Sequence, residues 1–136
     1  MISALDSNVL IDIFADDARY ASASLAAVRT AGRAGSLVVC EIVLAEVARY
    51  FDALDQLTSV LDRLSIAREP IGEAGCFLAG AAFRRYRQRG GERDRVLADF
   101  LIAAHAQTRC AQLISRDRGF YRTYFPELRL IDPTEG

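Results

Sequence analysis

ISALDSNVLIDIF, residues 2–14, carries the pattern on which the fold rests. An apolar run of strand length at 2–5 ends on Asp6, and after Ser7 and Asn8 the apolar residues of 9–15 return at helical spacing. Runs of the same kind recur at 37–40, 113–115 and 128–131, with a weaker candidate at 66–71. Between them, 18–31, 41–51, 53–64, 73–89 and 97–108 carry apolar residues every three or four positions, and a shorter helical piece follows at 119–124. Short strands with no polar face, joined by helical crossovers, predict a parallel sheet sandwiched between helices, the α/β class.

Asp6 then falls at the carboxyl edge of the sheet, where open α/β folds place ligands. Asp, Ser and Asn are all favoured helix N-caps, but capping needs only one of the three. Asp117 repeats the arrangement, because QLIS at 112–115 ends in Arg116-Asp117 ahead of the helical piece. Glu46 lies within EIVLAEVARYF, 41–51, which is apolar around nearly its whole circumference, where a lone carboxylate would cost several kcal/mol. A salt bridge to Arg49 accounts for Glu46 as well as a metal does. Asp99 heads DFLIAAHA, and taken singly it reads as a cap or first-turn acid favoured by the helix dipole. Taken together, the four acids occupy two strand ends and two helices that can pack over the same edge. Carboxylates crowded in this way coexist ionised only around a cation. Oxygen ligands without His or Cys point to Mg²⁺, with Mn²⁺ as the alternative, rather than zinc.

Composition removes several other chemistries. The chain has 136 residues, 51% of them hydrophobic and 26% charged, enough for one core and too balanced for disorder. One domain spanning 1–136 is therefore expected. All seventeen basic residues are arginine, so Schiff-base chemistry is excluded. The three cysteines, Cys40, Cys76 and Cys110, lie far apart among apolar neighbours with no C-x-x-C pair, and are expected to be buried and reduced, with no disulfide framework and no thiolate zinc site. His105, the only histidine, stands about 240° around its helix from Asp99 and reads as structural. No nucleophile elbow and no phosphate-binding glycine loop occurs. The N-terminus lacks a signal-peptide pattern and no apolar run reaches membrane-spanning length, so a cytoplasmic protein without membrane contact is expected.

ISALDSNVLIDIF, LVVCEIVLAEVARYF, RVLADFLIAAHA and LISRDRGFY, in this order and at these separations, resemble the four acidic motifs of the PIN-domain family over essentially the whole chain. The likeness is nearest to VapC-type ribonuclease toxins of prokaryotic toxin–antitoxin modules. It implies a three-layer α/β/α sandwich with a short parallel sheet of four to five strands. It implies metal-site roles for Asp6, Glu46, Asp99 and Asp117, with Ser7, Asn8 and Ser115 as polar neighbours. The implied activity is Mg²⁺-dependent hydrolysis of RNA phosphodiesters by an activated water, and the implied partners are RNA, a cognate antitoxin and a second copy of the chain. Two departures stand out: Cys40 where many relatives have Ser or Thr, and Arg118-Gly119 where many carry a further acid, which implies a leaner metal site.

Arg116, Arg118 and Arg122 lie nearest the acids and are the better candidates for phosphate contact, whereas the run Arg84, Arg85, Arg87, Arg89, Arg93, Arg95 fits a solvated helix end equally well. Tyr50 and Phe51, with the helices 41–51 and 53–64, are candidate interface material. Two alternatives from other classes are a non-catalytic Mg²⁺-binding regulatory module and an aspartate-nucleophile phosphatase. Both call for a lysine this chain lacks. The formal charge of −1 offers no nucleic-acid signal in bulk, yet setting the four acids aside leaves fourteen acidic residues against seventeen arginines, a surround of about +3.

Overall fold

The computed structural model describes residues 1–90 and 96–135. Five parallel strands, β1 Ile2–Leu5, β2 Ser36–Val39, β3 Ile66–Arg68, β4 Gln112–Ile114 and β5 Leu130–Ile131, form one sheet in the order β3-β2-β1-β4-β5. β1, β2 and β4 are buried almost throughout, as runs without a polar face require. The helices are α1 Ser7–Phe14, α2 Ala21–Ala34, α3 Glu41–Ala48, α4 Leu54–Arg63, α5 Gly72–Gln88, α6 Leu97–Arg109 and α7 Arg118–Tyr124. The chain builds outward from β1 to β3 and then returns to lay β4 on the other side of β1. Right-handed crossovers running in opposite directions put their helices on opposite faces, which gives the three layers. The order reverses between β1 and β4, so the carboxyl ends of those two strands are the switch point at which open α/β sheets place a ligand crevice.

Boundaries differ from the sequence reading where side chains or turns intervene. α2 starts at Ala21 rather than 18, because the Asp17 carboxylate accepts the N–H groups of Arg19 and Tyr20 at 2.8 and 2.9 Å and turns the chain first. α3 stops at Ala48, where Tyr50 and Phe51 switch to bonds three residues back. Phe51 is half-buried against Phe14, ring centroids 5.4 Å apart, so of the two candidate interface aromatics only Tyr50 is exposed. β5 is shorter than expected because Leu128 is held in a turn by its N–H to the Phe125 carbonyl.

The cysteines divide as well. Cys40 is buried and Cys110 half-buried, their thiols pushed up in pKa chiefly by burial, but Cys76 is exposed on the outer side of α5, contrary to expectation. Arg84, Arg85, Arg87 and Arg89 are exposed at the end of α5, while Arg93 and Arg95 of the same run lie outside the described residues.

Two contacts fix the helices that matter for the crevice. At Gly75 a Cβ would come within 2.7 Å of Ile71 Cγ2 at the cap of α5 and 3.3 Å of Thr108 Oγ1 on α6, so a larger residue there would press on the Ile71 side chain and tighten the α5/α6 contact. Phe100, fully buried on α6, packs against Phe83 and Tyr86 of α5 and Phe120 and Tyr124 of α7, with centroids 5.2–6.0 Å apart. Among the described residues, no helix is long and apolar enough to cross a membrane. Phe100→Ala should cost about 3–5 kcal/mol in urea unfolding; a destabilisation below about 1 kcal/mol would contradict its place at the centre of this cluster.

Candidate functional site

Asp6 follows β1 and is 5% exposed. As the N-cap of α1 it accepts the Ser7 N–H on Oδ1 at 2.7 Å, so the cap and the candidate ligand are one residue. Its Oδ2 accepts from Ser115 Oγ at 2.8 Å, Tyr121 OH at 2.9 Å and Asn8 Nδ2 at 3.4 Å. Burial raises its pKa from 3.8 to about 6, against the pull of the Ser115, Tyr121 and Ser7 hydrogen bonds, and the Glu46 charge adds to the rise.

Ser115, fully buried at the end of β4, is the hub of the polar neighbours. Besides donating to Asp6 it accepts the Asp117 N–H at 2.9 Å and Asn8 Nδ2 at 3.2 Å. Ser7 Oγ donates to Glu46 Oε1, which ties α3 to the start of α1. Of the two readings open for Glu46, the Arg49 ion pair is not the one formed: the Arg49 guanidinium lies over the Tyr50 ring, 5.2 Å from its centroid. Asp99 sits in the first turn of α6 and not at its cap, which is Val96.

The phenol of Tyr121, 1% exposed, is kept protonated first by burial and then by the charges of Asp6, Asp99 and Asp117. Asp6 is hydrogen-bonded to that hydroxyl, the charges of Asp99 and Asp117 act on it from further off, and Glu46 joins Asp6 through Ser7. Among the described residues, no three of the four acids bring ligand oxygens within 4.8 Å of one another.

Arg116 has a different place from the one expected. Its Nε and Nη2 close on Asp12 at 2.7 and 2.8 Å, its guanidinium stacks 3.9 Å above the Tyr20 ring, and its N–H donates to Asn8 Oδ1. With the fork occupied by a carboxylate and one face covered, Arg116 anchors the turn that carries Ser115 and Asp117 instead of offering a free cation to substrate. Asp12, 3% exposed, also accepts from Ser24 Oγ at 2.8 Å, on the same Oδ2 that takes Arg116 Nε. Arg118 remains half-exposed, in a loose cluster with Asp132, Glu135 and Arg122.

Sequence reasoning does not single out Tyr121, Asp12, Ser24 or Tyr20. Tyr121 follows Asp117 by one helical turn, a spacing that could have suggested it. Asp12 inside an apolar helical stretch is a visible anomaly, but its partner lies 104 positions away.

A family model described as PIN domain matches residues 4–126. The fold is similar to a chain of VapBC2 from Rickettsia felis, solved bound to a DNA fragment from their promoter, with a TM-score of 0.74 and 22% identity over 97% of this chain and 98% of that one. It is also similar to a chain of VapBC-1 from nontypeable Haemophilus influenzae (TM-score 0.73, 21% identity, 99% and 100% covered) and of a toxin–antitoxin complex from Klebsiella pneumoniae (0.67, 21%, 98% and 99%). No curated protein sequence matches.

Two outcomes follow from this geometry. Arg116→Met should cost about 3 kcal/mol in urea unfolding by stranding a buried carboxylate, and Asp12→Asn with Arg116→Met should cost less than the two singles summed; strict additivity would contradict the pairing. A raised acid pKa adds stability that is fully present below 3.8 and lost as pH rises through about 6, worth about 3 kcal/mol. Without divalent ions, Asp6→Asn should therefore raise the melting temperature at pH 7 and change little below about pH 4. An Asp6→Asn protein no more stable than wild type at pH 7 would contradict it.

Proposed function

The chain belongs to the PIN-domain family, and from that premise we propose that it is a divalent-cation-dependent endoribonuclease, the toxin of a toxin–antitoxin pair. The observation that carries the reading is the buried Asp6 carboxylate beyond the ends of β1 and β4, held by the Ser115 and Tyr121 hydroxyls with the Glu46 charge acting on it, while Asp99 and Asp117 act on the same Tyr121 phenol.

The donor set fits the cation the family implies: carboxylates and hydroxyls alone, with no nitrogen or sulfur among them, suit Mg²⁺ or Mn²⁺. Asp6, Asp99 and Asp117 would hold the ion, with Glu46 beside them. When bound, such an ion supplies Lewis-acid stabilisation of the charge that develops on the phosphoryl oxygens during hydrolysis.

The chain's own residues supply the rest. Ser115 positions Asp6 and the Asp117 backbone together, and Asn8 braces Ser115 and Arg116, so the two acids that end β1 and β4 move as one body. Tyr121, held protonated, donates to Asp6 Oδ2 and closes its buried side against water. Glu46, oriented by Ser7, is the base that takes the proton from the attacking water as the P–O bond breaks. Arg118 and Arg122 form the phosphate-binding edge: Glu135, which both face, is exposed and replaceable by an RNA backbone, while Arg118 Nε stays beside the buried Asp132.

The neighbours solved as VapBC and toxin–antitoxin complexes support an antitoxin partner. The exposed Tyr50 and Leu54 on and beside α3 and α4 offer apolar surface for pairing with a second copy. A cytoplasmic location accords with the same reading.

Incubation with structured RNA should give defined fragments with Mg²⁺ and none with EDTA. Asp6→Asn and Asp99→Asn should each lower cleavage at least about a hundredfold while remaining folded; full activity in both would overturn the reading. Neutralising Arg118 and Arg122 together should make the salt dependence of RNA binding shallower, by about 0.7 in the log–log slope for each phosphate no longer neutralised. An unchanged slope would remove them from the interface.

A further inference from the structure

Away from the acidic cluster, three residues that could each ligate a borderline ion such as zinc converge from separate segments. Glu69 follows β3, its N–H extending the ladder to the Val39 carbonyl at 2.9 Å; His105 lies on α6; Cys110 caps the end of α6 ahead of β4. One Glu69 oxygen, Oε1, sits 2.8 Å from His105 Nε2, 3.9 Å from Cys110 Sγ and 3.5 Å from Arg109 Nε. The ligand atoms of the three residues all lie within 4.8 Å of one another, with His105 1% exposed and the Glu69 carboxylate 22% exposed.

We propose that Glu69, His105 and Cys110 form a second metal site, for a single Zn²⁺ ion, distinct in chemistry from the acidic cluster. One carboxylate oxygen, one imidazole nitrogen and one sulfur are a zinc-type donor set, three protein ligands with the fourth position left to water. Bond lengths of about 2.0–2.3 Å place tetrahedral ligand atoms roughly 3.3–3.6 Å apart. The oxygen and nitrogen need to open from 2.8 Å and the sulfur to close from 3.9 Å, movements of less than about 1 Å made by side-chain torsions. Arg109, 41% exposed, can swing to water or keep the second Glu69 oxygen.

The ion would take the place of the thiol proton, which is released, and of the proton Nε2 shares with the Glu69 carboxylate, which passes to Nδ1 as the neutral imidazole changes tautomer. It would clamp the end of an edge strand to the junction between α6 and β4, the helix that carries Asp99 and the strand that delivers Ser115. Spacing hides the site: Glu69 stands 36 and 41 positions from its two partners, so no short motif contains it.

Co²⁺ titration of the Cys76→Ser protein tests the site without an exposed competing thiol. The expected result is one equivalent bound, with a thiolate-to-cobalt charge-transfer band and tetrahedral visible bands, displaced by one equivalent of Zn²⁺ and insensitive to Mg²⁺. Cys110→Ser should abolish the charge-transfer band, and Glu69→Gln, partly exposed and expected to fold, should weaken binding at least about tenfold. Zn²⁺ should raise the melting temperature of the parent and not of Cys110→Ser. Absence of the charge-transfer band from the folded parent, or its survival in Cys110→Ser, overturns the proposal. The titration reads the ion itself, so either result leaves the nuclease reading where it stands.

Discussion

Asp6 is a carboxylate at 5% exposure between two parallel strands, with three donors on one oxygen and a backbone N–H on the other. Burial pushes it towards neutrality and the hydrogen bonds pull it back, and the balance near pH 6 leaves a charge that is only half accommodated by the protein. The proposed cation would resolve that conflict. The strand order makes β1 and β4 neighbours, so Ser115 can hold Asp6 and the Asp117 N–H with a single hydroxyl. Any slip in the β1/β4 register of Leu5 against Ile114 would separate them.

The other two acids depend on packing. Asp99 precedes Phe100, and Phe100 joins α5, α6 and α7 through its contacts with Phe83, Tyr86, Phe120 and Tyr124. Since α7 begins just after Asp117 and also carries Tyr121, one apolar cluster bears on the helices that carry or adjoin Asp99, Asp117 and the phenol. On the opposite side, Arg116 ties the turn after β4 to Asp12 of α1 and to Tyr20 before α2. A charged group next to the proposed RNA site thus serves the scaffold, which explains why counting nearby arginines overstates the substrate contacts.

Strand-end acids are legible in the sequence because their signal is local. A buried-type run closing on Asp6 or Asp117 places the residue at a sheet edge whatever the rest of the chain does, and the order of four such motifs identifies the family. Helix limits are less legible where a side chain turns the backbone, as Asp17 does before α2. Least legible are pairings between residues far apart in sequence: Arg116 with Asp12, Tyr121 with Asp6, and the meeting of Glu69, His105 and Cys110. Each depends on how layers pack, and His105 taken alone reads only as structural.

If a divalent cation is what the buried carboxylate awaits, its position is the most direct test. A crystal grown with Mn²⁺ and measured at the manganese absorption edge should show an anomalous peak among Asp6, Asp99 and Asp117, with Glu46 at its side. A map with no peak there at neutral pH and excess Mn²⁺ would contradict the metal centre on which the proposed activity rests.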